Sequence, residues 1–209
     1  MASSGPRIES TIRAACASGD FVAAASETLR RYGPELLGFL LCFHRDHDEA
    51  GEAFSVFSER LWATLPGFRW ECSLRTWCYH LARNAAVDLR RGELRRRRGH
   101  LGLSSAPEVL AVARKTRTET LSIFRTEKRA ALESLRDELS EQDRTLLVLR
   151  VDRDLGWREI ALVLTEVPSA MDEAALVREA ARLRKRFQLV KDRLRSRARE
   201  RGLLPRGTE

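Results

Sequence analysis

Long apolar runs are missing from this 209-residue sequence. No stretch approaches the roughly 18 apolar residues that a membrane-spanning helix needs. The first residues, MASSGPRIES, also lack the apolar segment of a secretory signal. We therefore expect a cytoplasmic protein with no membrane segment of its own.

Cysteine is scarce, with four residues in the chain and no CxxC pair. They are Cys16, Cys42, Cys72 and Cys78. Such spacing does not indicate a disulfide framework in a reducing compartment. Cys42 lies close to His44 and His47 in sequence, but no second cluster of ligands completes a tetrahedral metal site. We expect no bound metal.

The chain also lacks the residue groups that carry enzymatic chemistry. Neither clustered carboxylates nor a nucleophile beside a base is evident in the pattern. We expect a protein that is not an enzyme and needs no cofactor. Ala, Leu, Arg and Glu are abundant, and these residues favour helix over sheet. The expected fold class is all-α, and the length fits two small helical domains.

Acidic residues are outnumbered by basic ones. The formal net charge is +8, the isoelectric point is near 10, and arginine is concentrated in two places. A basic chain of this kind indicates a polyanionic partner. Nucleic acid is the leading candidate, and an anionic membrane surface is the second.

Apolar periodicity predicts three helices in the first part of the chain. One spans 20–44, either as a helix pair or as one helix kinked at Pro34. A second runs from about Asp48 to Leu65, with Phe54, Phe57 and Leu61 on its inner face. A third runs over 73–91. These helices make up a first domain, 1–98.

Composition shifts toward Gly, Ser, Pro and Thr over residues 99–127, which predicts a flexible linker that could contain a short helix. A second domain, 128–209, follows. Ser140 to Asp143 resembles a capping box, and WREIALVLTE predicts a short helix after a tight turn. A long helix then runs to about Arg201, basic except for one apolar seam. The second domain is expected to be a helix-turn-helix with a long basic recognition helix.

The segment FRWECSLRTWCYHLARNAAVDLRR, residues 68–91, is the most informative of the chain. Aromatic rings can stack on unpaired bases, Arg binds phosphate, and Asn can hydrogen-bond a base edge. The pattern therefore favours melted nucleic acid as the ligand. We expect Trp77 and Leu81 to face the protein core, while loop residue Trp70 could be a hydrophobic lid or a base contact.

This segment, preceded by an acidic helix ending in LWATLP, resembles conserved region two of bacterial sigma factors of the extracytoplasmic-function group. LSEQDRTLLVLRVDRDLGWREIALVL, followed by a basic helix, resembles their region four. The resemblance implies a factor that binds core RNA polymerase through its largest subunits and directs promoter recognition and melting. It also implies promoter DNA and a regulatory partner such as an anti-sigma protein.

The resemblance assigns roles to particular residues. A pocket for a flipped base of the minus-ten element would be lined by Arg69, Trp70, Glu71, Cys72 and Ser73. The strand would be faced by Arg83, Asn84 and Asp88, with Arg91 and Arg95 on phosphates. Duplex DNA of the minus-thirty-five element would be read by Arg182, Arg184, Lys185, Arg186 and Gln188. Polymerase would be bound by Asp48, Glu49, Glu52, Glu59 and Trp62.

Two departures from the family pattern stand out. An aromatic residue four positions before Trp62 is usual, and this chain has Ser58 there, with Phe57 shifted by one. The turn before the recognition helix is replaced by the longer segment TEVPSAMDEAALVRE. The alternative function is a stand-alone helix-turn-helix regulator that binds duplex DNA as a dimer, although it would leave the aromatic segment without a role.

Overall fold

The computed structural model describes residues 5–44, 46–92, 105–126, 135–136, 138–166 and 171–203. All regular secondary structure in these ranges is helical, which confirms the all-α fold class. The chain divides into two compact units, Met1–Thr126 and Glu127–Glu209. Within the described ranges, every helix is too short or too polar to span a lipid bilayer.

The first unit contains five described helices. They are α1 (Gly5–Ala17), α2 (Phe21–His44), α3 (His47–Thr64), α4 (Leu74–Arg90) and α5 (Pro107–Thr126). Of the two possibilities left open for residues 20–44, the structure has a single helix with Pro34 inside it. The Asp46 carboxylate accepts hydrogen bonds from the backbone N–H groups of Asp48 and Glu49, at 2.8 Å each, and so begins α3.

The core of this unit lies between α2, α3 and α4. Phe54, Phe57 and Leu61 of α3 are fully buried, as their spacing predicted. Helix α2 adds several buried leucines, and the buried Tyr79 of α4 meets the Phe39 ring of α2 edge-on at a centroid distance of 5.4 Å. Large apolar side chains are therefore concentrated where these three helices meet.

The inner face of α4 differs from the expectation. Leu74 and Ala85 are buried as expected, but Trp77 and Leu81 are only half-buried. The other buried residues of α4 are Thr76, Cys78, Tyr79, His80, Ala82 and Ala86. The buried stripe is therefore rotated by about one residue, roughly 100° around the axis, from the side on which Trp77 and Leu81 lie. Thr76 and His80 lie inside.

Residues 107–126 are not a flexible linker in this structure. They form the 20-residue helix α5, which packs on α2 and α3. Among residues 105–121, the buried ones are Ala106, Val109, Ala113, Thr116 and Thr120, none of them larger than valine. Such a seam has little hydrophobic contrast, which is why the composition read as a linker. Residues 99–104 and 127 of the expected linker lie outside the described residues.

The second unit contains a short helix α6 (Glu141–Leu147) that continues as a π-helical turn over Val148–Asp152, then α7 (Trp157–Leu164) and the long α8 (Glu173–Glu200). Ser140 caps α6, as predicted, by accepting from the backbone N–H of Asp143 at 3.2 Å. Asp172 caps α8 by accepting from Ala175 N–H at 2.6 Å. Residues 128–134 and 137 of the expected second domain lie outside the described residues.

The apolar seam predicted for α8 is confirmed. Leu176, Ala180, Leu183 and Val190 are buried, and Phe187 and Leu194 are partly buried. The seam packs on α7 and α6, where the Phe187 ring meets Trp157 at a centroid distance of 5.4 Å. The rest of the α8 surface carries mostly charged residues and is exposed.

Candidate nucleic-acid interface

The loop between α3 and α4 holds its aromatic residues in one connected cluster. The Phe68 ring stacks on Trp77 at 4.5 Å with an interplanar angle of 23°, and it meets Trp70 at 4.9 Å. Trp70 has a φ of 60°, in the left-handed region that bulky residues rarely adopt. Strained backbone of this kind persists where the surroundings fix it, and it is concentrated at functional sites. The loop is therefore preformed on the surface of α4.

Helix α1 supports this loop, which the sequence did not reveal. The guanidinium carbon of Arg13 lies 5.3 Å from the Trp70 ring centroid, a cation–π contact. The Glu9 carboxylate accepts a hydrogen bond from the backbone N–H of Leu74, at the start of α4. Glu9 and Leu74 are 65 positions apart. No local pattern could have linked them, because only the tertiary fold brings α1 to this loop.

The predicted pocket residues are close together but have different partners. Ser73 caps α4, with its Oγ accepting from Thr76 N–H at 3.1 Å, so its hydroxyl serves the helix start. Arg69 and Glu71 form an exposed ion pair, with a distance of 3.2 Å from Nε to Oε1. Cys72 is half-buried. The exposed groups of the loop are thus Arg69 and Glu71, beside the half-buried Trp70.

One face of α4 continues outward from the loop. Trp77, Leu81, Asn84 and Asp88 follow at spacings of four, three and four, and all are half-buried. The Asn84 amide nitrogen lies 2.9 Å from Nε2 of the buried His80, and Arg83 donates to the Asn84 amide oxygen at 3.4 Å. His80 and Arg83 therefore orient the Asn84 amide at the surface.

Asp88, predicted to face the DNA strand, forms an ion pair with another residue of the first unit. Arg60 of α3 donates to its Oδ2 at 2.6 Å, and the two side chains are 18% and 22% exposed. A carboxylate in such a charge-assisted bond joins α3 to α4 and has its charge neutralised. Its expected contact with DNA remains a prediction, while the structural link is visible.

Comparison with protein families matches residues 28–98 to Sigma-70 region 2. The match begins inside α2, includes α3, the aromatic loop and α4, and ends before α5. The match covers about a third of the chain, and these residues are similar to region 2 of the sigma-70 family. Neither curated proteins nor solved structures give a match to the chain. Proteins with region 2 are transcription initiation factors that bind core RNA polymerase and promoter DNA, and promoter recognition is the function that this match supports.

The α3 helix of region 2 carries the residues expected to bind polymerase. Asp48, Glu49 and Glu52 are exposed, and Glu59 and Trp62 are half-buried. Glu49 lies 3.1 Å from Nδ1 of His44, whose side chain is buried. Burial lowers the pKa of His44, against the opposing effect of Glu49, and so favours the neutral imidazole. The exposed acids leave most of this helix surface anionic.

Ser58 and Phe57 explain how region 2 accommodates the departure from the family pattern. Both are fully buried, and Ser58 Oγ donates to the Phe54 carbonyl at 2.8 Å. An aromatic side chain at residue 58 would have to enter the packed core, so Phe57 takes the inward place instead. Neither residue is available to a partner surface.

The basic end of region 2 lies at the C-terminus of α4. Arg91 is exposed and caps the helix with its backbone, and Arg90 lies over the Phe43 ring at 5.8 Å. Arg95 and the arginines that follow it lie outside the described residues. Cations at a helix C-terminus are also favoured by the helix dipole.

The basic residues predicted on α8 have two kinds of environment. Arg184, Lys185 and Gln188 are exposed. Arg186 instead donates to Asp143 of α6 at 2.7 Å and to Gln142 at 2.8 Å. Arg186 therefore holds α8 against α6.

The carboxylate that receives Arg186 is almost fully buried, with 9% of its side chain exposed. Burial alone raises the pKa of Asp143, but hydrogen bonds from Arg186 and Ser140 and the charge of Arg193 outweigh it and hold the pKa below its ordinary value. Arg182 forms a two-point ion pair with Glu179 one turn away on α8. The bond from Arg182 correspondingly lowers the pKa of Glu179.

Proposed function

We propose that this chain is a sigma factor of the extracytoplasmic-function group and that it melts promoter DNA as well as recognising it. The observation that carries the proposal is the preformed aromatic loop on α4, inside the residues that match region 2. A base held outside the duplex needs a pocket that exists before it arrives, together with hydrogen bonds to its freed edge. The strained Trp70 and the stack of Phe68 on Trp77 supply a rigid wall for such a pocket.

The residues of this site have different roles in binding a flipped base. Trp70 supplies a ring on which a base can stack, supported from behind by Arg13. Arg69, Glu71, Cys72 and Ser73 line the pocket. On α4, Asn84 offers a donor and an acceptor to a base, with its amide oriented by neighbouring side chains.

Arginine beyond the loop supplies charge. Arg83 and Arg91 on α4, and Arg95 after it, contact phosphates of the melted strand. Phosphate contacts supply sequence-independent affinity that falls with salt concentration, while the pocket supplies selectivity. Binding of this site to DNA should therefore weaken steeply as salt is raised.

The second unit, on this proposal, is region four and binds the minus-thirty-five element as duplex. Helix α6, the turn after it and α7 form the front part of the helix-turn-helix, and α8 is the recognition helix that enters the major groove. Arg182, Arg184, Lys185 and Gln188 read bases or contact phosphates there. Arg186 positions α8 through Asp143, which supports a fixed geometry for the recognition helix.

Helix α3 binds the largest subunits of core polymerase on this proposal. Its exposed Asp48, Glu49 and Glu52 present negative charge, and Glu59 and Trp62 extend the same surface toward the loop. An anti-sigma protein is the kind of partner that would regulate such a factor. The protein acts where polymerase acts, in the cytoplasm.

The test is transcription in vitro with the purified chain, core polymerase and a genomic library, with start sites mapped. The proposal predicts defined start sites that core polymerase alone does not produce, sharing two spaced promoter elements. If the chain adds no start sites, the proposed function is wrong. Tight binding of duplex DNA by the chain without polymerase would instead favour the stand-alone regulator.

A further inference from the structure

We propose that the surface of α2 and α3 beneath α5 is a docking surface with two alternative occupants. Helix α5 occupies it in the structure described here, and core RNA polymerase takes it over when α5 is displaced. This inference rests on the proposed docking of polymerase on α3. It makes α5 an internal competitor of polymerase.

The proposed docking residues of α3 form a single stripe. Asp48, Glu52, Ser55, Glu59 and Trp62 follow one another at spacings of four, three, four and three, which places them on one side of a helix. Ser55 lies at the centre of this stripe. A partner helix that lies along the stripe has to pass over Ser55.

Helix α5 already contacts that centre. Arg117 of α5 donates from Nη1 to Ser55 Oγ at 3.0 Å. A Cβ atom added to Gly51, one turn before Ser55, would lie 3.5 Å from Cδ of Arg117 and 3.6 Å from a methyl group of Leu121. Ser55 is thus hydrogen-bonded to α5, and side chains of α5 fill the space beside Gly51. A partner that packs closely on both residues has to displace these side chains of α5.

Over residues 107–121, whose side chains the structure describes, the seam that holds α5 buries smaller side chains than the core below it. The buried residues there are Val109, Ala113, Thr116 and Thr120, whereas α3 contributes Phe54, Phe57 and Leu61 to the core. Burial of apolar area stabilises in proportion to the area removed from water, and small or hydroxyl-bearing side chains remove little. Helix α5 should therefore detach at a lower free energy than the unfolding of the unit.

Gly33 of α2 offers a direct way to fix α5 in place. A Cβ at Gly33 would lie 3.7 Å from Cβ of Thr116. That separation matches the distance of about 3.8 Å between Cβ atoms in disulfides. The double variant Gly33→Cys/Thr116→Cys should therefore form a disulfide between α2 and α5 upon oxidation, and mass spectrometry of tryptic peptides would identify it.

If α5 must leave before polymerase binds, the oxidised double variant should bind core polymerase at least about tenfold more weakly than its reduced form. The reason is that the disulfide removes the molecules in which α5 is detached, and only these can bind. Wild type and Thr116→Cys alone, treated with the same oxidant and reductant, control for the four native cysteines. Equal affinity of the oxidised and reduced double variant, with the disulfide verified, would overturn the inference. Failure of wild type to bind polymerase would instead refute the proposed function.

A second pair of variants moves α5 in the opposite direction without any oxidation. In Gly33→Ala, the new Cβ would lie 2.7 Å from the Thr116 methyl carbon, so α5 has to shift. Affinity for polymerase should rise. Adding Thr116→Ser removes that methyl group and should return the affinity to the wild-type value. Unchanged or weaker binding by Gly33→Ala would count against displacement of α5, whatever the result with the disulfide.

Discussion

The ion pair between Arg60 and Asp88 allows a structural role of Asp88 to be separated from a role at the DNA. The atoms Nη2 and Oδ2 are 2.6 Å apart, and each side chain is about one fifth exposed. Exposed pairs contribute about 0.2–1 kcal/mol, and hydrogen bonds between charged groups contribute about 1.5–3 kcal/mol. A half-buried pair should lie between these, so we expect a coupling free energy of about 1–2 kcal/mol.

The perturbation is a double-mutant cycle of Arg60→Met, Asp88→Asn and the two together. Each single change should lower the free energy of unfolding by about 1–2 kcal/mol, and the double should cost little more than either, because the pair is lost only once. A Trp157→Phe background leaves the tryptophans of the first unit as the fluorescent reporters. Unfolding in urea, followed by this fluorescence, gives the four free energies. A coupling below about 0.3 kcal/mol would refute the stabilising role of the pair.

The reversed pair Arg60→Asp/Asp88→Arg decides between the two roles of Asp88. If Asp88 acts by joining α3 to α4, the reversed pair should recover both stability and promoter opening, since the bridge is re-formed with the charges exchanged. Opening is read by permanganate reactivity of unpaired thymines in the polymerase complex. Recovered stability with no recovery of opening would show that the carboxylate itself is needed at the DNA.

Three further predictions concern the remaining sites. Asn84→Ala should lower promoter opening by about tenfold, which corresponds to the loss of one hydrogen bond in a pocket without water. The affinity for polymerase, measured in a pull-down, should not change. Equal loss of opening and of polymerase binding would contradict the assignment. Arg13→Ala should weaken opening through the loss of support for Trp70, and Arg13→Lys should retain part of it, as the same reactivity assay would reveal. The pKa of Asp143 is lower in the folded protein than in the unfolded chain, where it is about 3.9. The ionised carboxylate therefore stabilises the fold fully above a pH of about 3.9, and this stabilisation is lost as the pH falls through the folded-state pKa. Asp143→Asn should flatten that part of the pH–stability curve in acid titrations; an unchanged slope would exclude Asp143 as its source.

Helix periodicity was enough to predict most elements of the fold. The inward face of α3 and the seam of α8 repeat large apolar residues every three or four positions, so those faces had one possible orientation. The cap at Ser140 was equally local, since a cap involves only the next few residues. Where the pattern was weak, the prediction was wrong: α5 buries alanine and threonine, and it appeared to be a linker.

The interior face of α4 shows the limit of periodicity. Trp77 and Leu81 are the largest apolar residues on one side of the helix, and hydrophobicity alone turned them inward. In the structure Ala82 and Cys78 are buried instead, while Trp77 stacks on Phe68 of the preceding loop. Which side of α4 faces its neighbours depends on how the helices pack, and no pattern within a single helix contains that information.

The amino-acid sequence by itself determined the helices, the basic character of the chain and the segment on which the sigma-70 resemblance depends, because those features are local or compositional. Only the tertiary structure decided which side chains of that segment remain accessible. It brought Glu9 and Arg13 from α1 to the aromatic loop, joined Asp88 to Arg60, and laid α5 over Ser55. Each of these contacts links residues far apart in the chain, and each depends on how the helices pack.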